Sequence, residues 1–416
     1  MARKHIAVAL TIGVVSLVSI AVARPAYAQA AGSLDPTFGT GGKVLTDLGD
    51  NSAGAQIQAV VSDAALQSNG DIVVSGNFGL VRYLPNGKLD TSFGTKGLAI
   101  TTGSAAGLAI EPNGDYLAVG AGTTSSGVST FEVTRFTSSG TLDPTFGSDG
   151  VVTTTFPGAS DGAAADAVLV EPDGDILVGG QASVPGTTRN EPVITEGALA
   201  LYSSSGALEG SFGSGGIVQS TSSIGDIANL GIDASGDIFV LPAHAEFSPS
   251  GQLDSSVTAE AIVTSSQGGD NAFLPNGQSV SATSVSVAKH NTDVQATLFN
   301  ANGTVDSAFD NPPFTYTGAE LAGFQSPGAV AVQPNGQIVI AGSSFKDTSV
   351  FGLARLDTNG SLDGTFGSTG VLTTSFQGDD GATAVLIQPN GDIVAVGFSE
   401  NNTTGVTDIA VARYIG

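Results

Sequence analysis

The side chains able to do chemistry in this chain stand mostly in its irregular stretches. His244 and His290 are the histidines beyond residue 30, and Asp50, Asp161, Glu191, Glu196, Asp293, Asp379 and Asp380 occupy polar segments of variable length. An imidazole beside a carboxylate serves acid–base catalysis or holds a metal. Neither use has the usual spacing here, because no His-x-His or His-x-x-x-His pair occurs and a lone loop histidine is more often solvated than catalytic. Asp50, Asp161 and Asp379-Asp380 fall at equivalent places between repeats, so calcium is the ion such carboxylates could share, although the twelve-residue calcium loop is absent. Zero cysteines exclude disulfides, thiolate catalysis and cysteine-held metals. No nucleotide-binding loop is present, and short Gly-rich matches in this chain are turn chemistry and carry no weight. With no Trp and six Tyr, a platform for stacking sugar rings is thin. These residues predict no catalytic set and no cofactor, calcium being possible. They leave Asp50, Asp161, Asp379, Asp380, His244, His290 and Asp293 as candidate ligand-binding residues.

A repeat must position them. The stretch Leu362-Asp363-Gly364-Thr365-Phe366-Gly367 recurs at Leu34–Gly39, Leu89–Gly94 and Leu142–Gly147, with decayed copies from Leu208, Leu253 and Val305. A second signature, as in Pro389-Asn390-Gly391-Asp392 before an apolar run, places turn glycines at Gly70, Gly114, Gly174, Gly236, Gly277, Gly336 and Gly391. A period of about 40 to 60 residues marks a solenoid, propeller or array. Each unit reads as short β-strands divided by turns, with Asn-Gly fitting a type I′ hairpin. Four strands per unit without a helical pattern is the blade of a β-propeller. The expected fold is all-β: one seven-bladed β-propeller over residues 31–416. Lys43 to Leu48 should pair with the third strand around Ala410 to Tyr414 and supply the missing fourth strand of the last blade, which removes the open sheet edges.

Four repeats carry arginine at one place in the third strand, namely Arg82, Arg135, Arg355 and Arg413. Where the arginine is present the following loop is intact, with Asp90, Asp143, Asp363 and, through ring closure, Asp35. The other repeats have Leu201, Glu246 and Leu298, and their loops are altered to Glu209, to Val257-Thr258, or to Phe309-Asp310. Loss of one partner coincides with damage to the other, which predicts a structural clasp between guanidinium and carboxylate or loop backbone.

In an up-and-down blade the Asn-Gly hairpin and the Leu-Asp-x-x-Phe-Gly loop share one face of the disc. The connections on the opposite face vary in length, as in Gln181 to Gly197 and Ser399 to Thr407, and irregular loops on a rigid scaffold usually carry the binding residues. The combination of Pro-Asn-Gly-Asp, Ile-Val-x-x-Gly, Val-Ala-Arg-Tyr and Leu-Asp-x-x-Phe-Gly resembles the delta-60 repeat family of exported bacterial proteins across residues 31–416. That resemblance implies a propeller-like fold and carries no catalytic residue with it.

Residues 1–30 read as a secretory signal peptide. They have a basic head, an apolar run from Ile6 to Ala23, and small residues around Ala28-Gln29-Ala30. The competing reading is an uncleaved membrane anchor. This segment holds Arg3, Lys4 and Arg24 and no acid, so its removal takes the formal charge from −25 to −28. A polyanion repels phosphate backbones and anionic lipid, so the expected partner is an extracellular ligand or cell-surface component, with no nucleic acid and no membrane insertion after cleavage. The chain is expected to be secreted, periplasmic or extracellular, and monomeric. The favoured function is non-catalytic binding at the variable-loop face. The alternative is an extracellular hydrolase or lyase with a carboxylate or calcium site in the central funnel.

Overall fold

The computed structural model describes residues 29–50, 55–185, 193–220, 224–233, 235–254, 271–274, 277–288, 291–309, 324–345, 348–367 and 369–416. The expected signal peptide lies outside the described residues except for its last two. Among the described residues no helix is long and apolar enough to cross a membrane.

Seven antiparallel sheets follow one another along the chain as the blades of a β-propeller. The first strand of each lines the axis: Val61–Leu66, Gly107–Ile110, Gly162–Val170, Asn229–Ile232, Asn271–Phe273, Phe324–Val332 and Asp379–Ile387 in blades one to seven. Five blades have four strands, while blades four and five show three among the described residues. Blade seven consists of Asp379–Ile387, Ile393–Glu400 and Thr407–Tyr414, completed on its outer edge by Lys43–Thr46. The closing register pairs Lys43 with Ala412 and Thr46 with Ile409. Ring closure by the expected segment is therefore observed, with the regular pairing ending at Thr46 instead of Leu48.

The hairpin chemistry differs from the expected type I′. Gly391 has φ +91°, but Asn390 does not share its positive φ. The Gly391 N–H donates to Gln388 O and the Gln388 N–H to Asp392 O, both at 2.8 Å. This is a type I turn with proline at its second position, followed by a left-handed glycine that forms a bulge. Pro389 already has the φ such a turn needs, and Asn390 accepts the Asp392 N–H at its side-chain oxygen (3.1 Å).

Second strands run apolar on both faces, since each blade is covered on both sides by its neighbours. Ile393, Val394, Ala395 and Val396 are all fully buried. The apolar clusters accordingly lie between blades: Leu117, Val119 and Phe131 of blade two meet Ala165, Ile176 and Val178 of blade three. Val394 and Val411 of blade seven meet Ile72 and Val81 of blade one. Fully burying one such side chain stabilises by about 1.5–3 kcal/mol.

Candidate functional site

The arginines meet the aspartates of their own loops. Arg413 donates from Nε to Asp35 Oδ2 (2.9 Å) with Nη2 at 2.8 Å from the same oxygen. The other oxygen, Oδ1, accepts the N–H and hydroxyl of Thr37. Arg82 with Asp90, Arg135 with Asp143 and Arg355 with Asp363 repeat this grip. Each guanidinium also lies 4.5–4.7 Å from the phenylalanine centroid of its loop, over Phe38, Phe93, Phe146 or Phe366, an added cation–π attraction.

The grip extends across blades. Arg413 Nη1 donates to Pro85 O of blade one (2.7 Å), Arg82 Nη1 to Ser138 O of blade two (2.7 Å), and Arg135 Nη1 to Ser204 O of blade three. The loop glycine adds another bond in the same direction, as from Gly94 N–H to Ser139 O. Beneath the receiving turn, Gly140 has φ +80° and a Cβ there would come 2.7 Å from Phe93, so glycine is required. Burial by itself would raise the Asp35 pKa, but the Thr37 donors and the Arg413 charge outweigh it and hold the carboxyl below the ordinary range. Asp90, Asp143 and Asp363 are lowered in the same way.

The candidate ligand-binding residues do not converge. Asp50 and Asp161 are exposed near different blades. Asp379 and Asp380 begin the inner strand of blade seven instead of lying in a loop. Asp379 accepts the Ser349 N–H of blade six (2.9 Å), and Asp380 is wholly buried, with Oδ2 accepting the Phe376 N–H (2.8 Å). Asp293 also lies in a strand, opposite Val285. His290 and Glu191 fall outside the described residues, while Glu196 accepts from Gln219 (2.8 Å). His244 sits in a turn of blade four with φ +50°, its ring 3.9 Å from that of Phe299 in blade five. Burial pushes its pKa down to about 4, so it is a neutral packing group at physiological pH. Among the described residues no group of three or more His, Asp or Glu is placed to hold a metal ion.

Another set of residues does converge, on the axis. A cavity of ≈480 Å³ is lined by inner-strand residues of all seven blades. Its polar groups are Ser62, Asp63, Asp166, Asn229, Asn271 and Thr383, set among alanine, glycine, valine and proline without an aromatic ring. Ser62 and Ala228 are exposed, so the cavity meets solvent. Asp63 accepts the N–H groups of Ala64 (2.7 Å) and, across the blade boundary, Leu108 (3.1 Å). Burial outweighs these bonds and raises its pKa to about 6. Asp166 is raised by burial and by the charge of Asp226, which burial raises as well. The two like charges repel, which favours the neutral form of Asp166. Asn229 Oδ1 and Thr383 Oγ1 are buried atoms without a hydrogen-bond partner.

The sequence reading overlooked this set because a polar residue facing an axial cavity has the same period-two placement as one facing bulk solvent. The signal lay in the aligned repeats. Four residues before the end of six of the seven inner strands stand Ser62, Ala106, Asp166, Ala228, Gly328 and Thr383, small or polar in every case.

Comparison with known proteins adds the following. A search of curated proteins finds no match. Among solved structures, the polysaccharide lyase Uly1 aligns with TM-score 0.41 and 12% identity over 85% of this chain and 89% of its own. A putative gluconolactonase aligns with TM-score 0.39 and 12% identity over 92% and 98%. A Bacteroides caccae protein of unknown function aligns with TM-score 0.38 and 12% identity over 76% and 98%. A family model described as "Domain of unknown function (DUF5122) beta-propeller" matches residues 67–93, 111–146 and 333–366 of this seven-bladed β-propeller.

Proposed function

We propose that this protein is a secreted, non-catalytic binding propeller whose ligand enters the axial cavity from the variable-loop face. The supporting observation is the convergence of Asp63, Asp166, Asn229 and Thr383 from four blades on one solvent-reaching cavity. Buried polar atoms without partners favour a ligand that supplies them. Asp226, which faces Asp166, belongs to the connection entering blade four, and such connections form the variable face. The test is a thermal-shift survey of small extracellular molecules and calcium against the wild type, a plugged variant, Ala106→Trp, and a rim variant carrying Asp161→Asn and Asp379→Asn. Stabilisation lost with the plug and kept with the rim variant supports the cavity. The reverse pattern moves the site to the rim loops.

The neighbouring carboxyls of Asp166 and Asp226, both pushed toward the protonated form, favour a second reading, an extracellular hydrolase or lyase, because carboxyls with raised pKa values are the equipment of acid–base catalysis. Turnover of a polysaccharide or ester that Asp166→Asn abolishes in a folded protein establishes that reading.

A further inference from the structure

We propose that the ligand of the axial cavity is a small organic ammonium ion, a primary amine or diamine, held through its N–H groups by the Asp166–Asp226 pair and Asp63. This rests on the cavity reading above and names the chemistry of its ligand. The cavity is a face of acceptors: the carboxyl groups of Asp63 and Asp166, with Asp226 beside Asp166, the side-chain oxygen of Asn229 and the hydroxyl of Thr383. An ammonium carries three donors and no acceptor, so it complements such a surface where an anion or an acceptor-rich ligand does not.

The walls narrow the class further. Ala64, Ala106, Ala228, Pro327, Val330 and Val385 present aliphatic surface that suits an alkyl chain. Among the described residues that line the cavity there is no aromatic ring for a sugar to stack on. A hard divalent ion wants six or more oxygens with several carboxylates among them, and among the described residues no group of three metal-type ligands is suitably placed. An ammonium needs one carboxylate and one or two neutral oxygens. The net charge of −25 draws cations of any kind toward the molecule, and ≈480 Å³ accommodates several carbons.

Binding a cation beside Asp166 favours the ionised carboxylate, whose pKa burial and Asp226 raise, so affinity weakens as pH falls. The titratable groups facing the site are Asp63 on blade one, Asp166 on blade three and Asp226 on the connection to blade four. The experiment is isothermal titration of the full chain with 1,4-diaminobutane, calcium chloride and xylitol at pH 7.5 and 5.5. The variants are Asp166→Asn and the plug Ala106→Trp, with Thr383→Met as a second plug should the first fail to fold. Diaminobutane is expected to bind the wild type, about tenfold or more weakly to Asp166→Asn, not at all to the plugged protein, and less tightly at pH 5.5. Absence of diaminobutane binding overturns the proposal. If calcium or xylitol binds instead and the plug abolishes it, the amine assignment fails while the cavity remains the site. Binding of any probe that survives both plugs overturns the amine and the cavity together.

Discussion

Blades one, two, six and seven carry the arginine clasp, and blades three, four and five do not. In the first group a guanidinium with only 6–14% of its side-chain surface exposed bonds the aspartate of its own loop, lies on the phenylalanine, and in three cases reaches a carbonyl of the next blade. In the second group Leu201 and Glu246 replace the cation while the acids remain. Glu246 has its pKa raised by burial and by Asp237, Asp254 and Asp233, and Asp175 by burial and by Asp173 and Glu209. The same loop is thus an attractive joint in blades one, two, six and seven and a repulsive one in blades three and four. The arginine serves less as an anchor for one loop than as the neutralising group of an interblade joint.

The difference can be broken most severely at the ring closure. Deleting residues 29–46 removes the outer strand of blade seven together with Asp35 and Phe38, which leaves Arg413 without its carboxylate and a buried ring absent. A loss above about 5 kcal/mol in urea denaturation is expected. An unchanged midpoint would mean that the closing strand contributes nothing. Next in size, Arg355→Ala and Arg413→Ala should each cost about 3 kcal/mol, since either leaves a buried aspartate unpaired. Equal stability of these variants and the wild type would refute the clasp.

The comparison can also be sharpened by repair. Leu201→Arg places a guanidinium beside Glu209 and Phe212, the altered counterparts of aspartate and phenylalanine. The expected gain is up to about 1 kcal/mol, read as a rise in denaturant midpoint. A fall of more than about 2 kcal/mol would show that blade three has repacked around the leucine too closely to readmit the joint.

The smallest effect separates clasp from cavity by pH. The clasp aspartates have lowered pKa values, so their contribution is present above the unfolded value of about 3.9 and disappears as pH falls through the folded value. The cavity carboxyls have raised values. Their contribution is complete below about pH 3.9 and is lost as pH rises, for Asp63 through about 6. Melting temperatures taken from pH 4 to 8 should show Asp166→Asn flattening the decline on the neutral side, by under about 1 kcal/mol because the pair is partly solvated. It should leave the acid limb unchanged. A variant that alters only the acid limb contradicts the assignment.

Much of the scaffold was legible. Seven turn glycines set the number of blades, and the coincident loss of Arg and Asp-x-x-Phe-Gly pointed to their contact before any geometry was available. Strand extents were less legible. Asp379 and Asp380 read as loop but extend the inner strand, because an edge set by the neighbouring blade overrides local propensity. The turn type was misread because Asn-Gly admits several backbone solutions, and the preceding proline selects among them.

What the sequence determined by itself is everything that repeats: blade number, order, closure and the clasp, since repetition reports the same local physics several times over. What only the tertiary structure decided is the axial cavity. Ser62, Asp63, Asp166, Asn229 and Thr383 are single departures on strands that never pair with one another, in blades up to 321 residues apart in number. They become neighbours solely because closing seven twisted sheets into a ring brings every first strand to one axis.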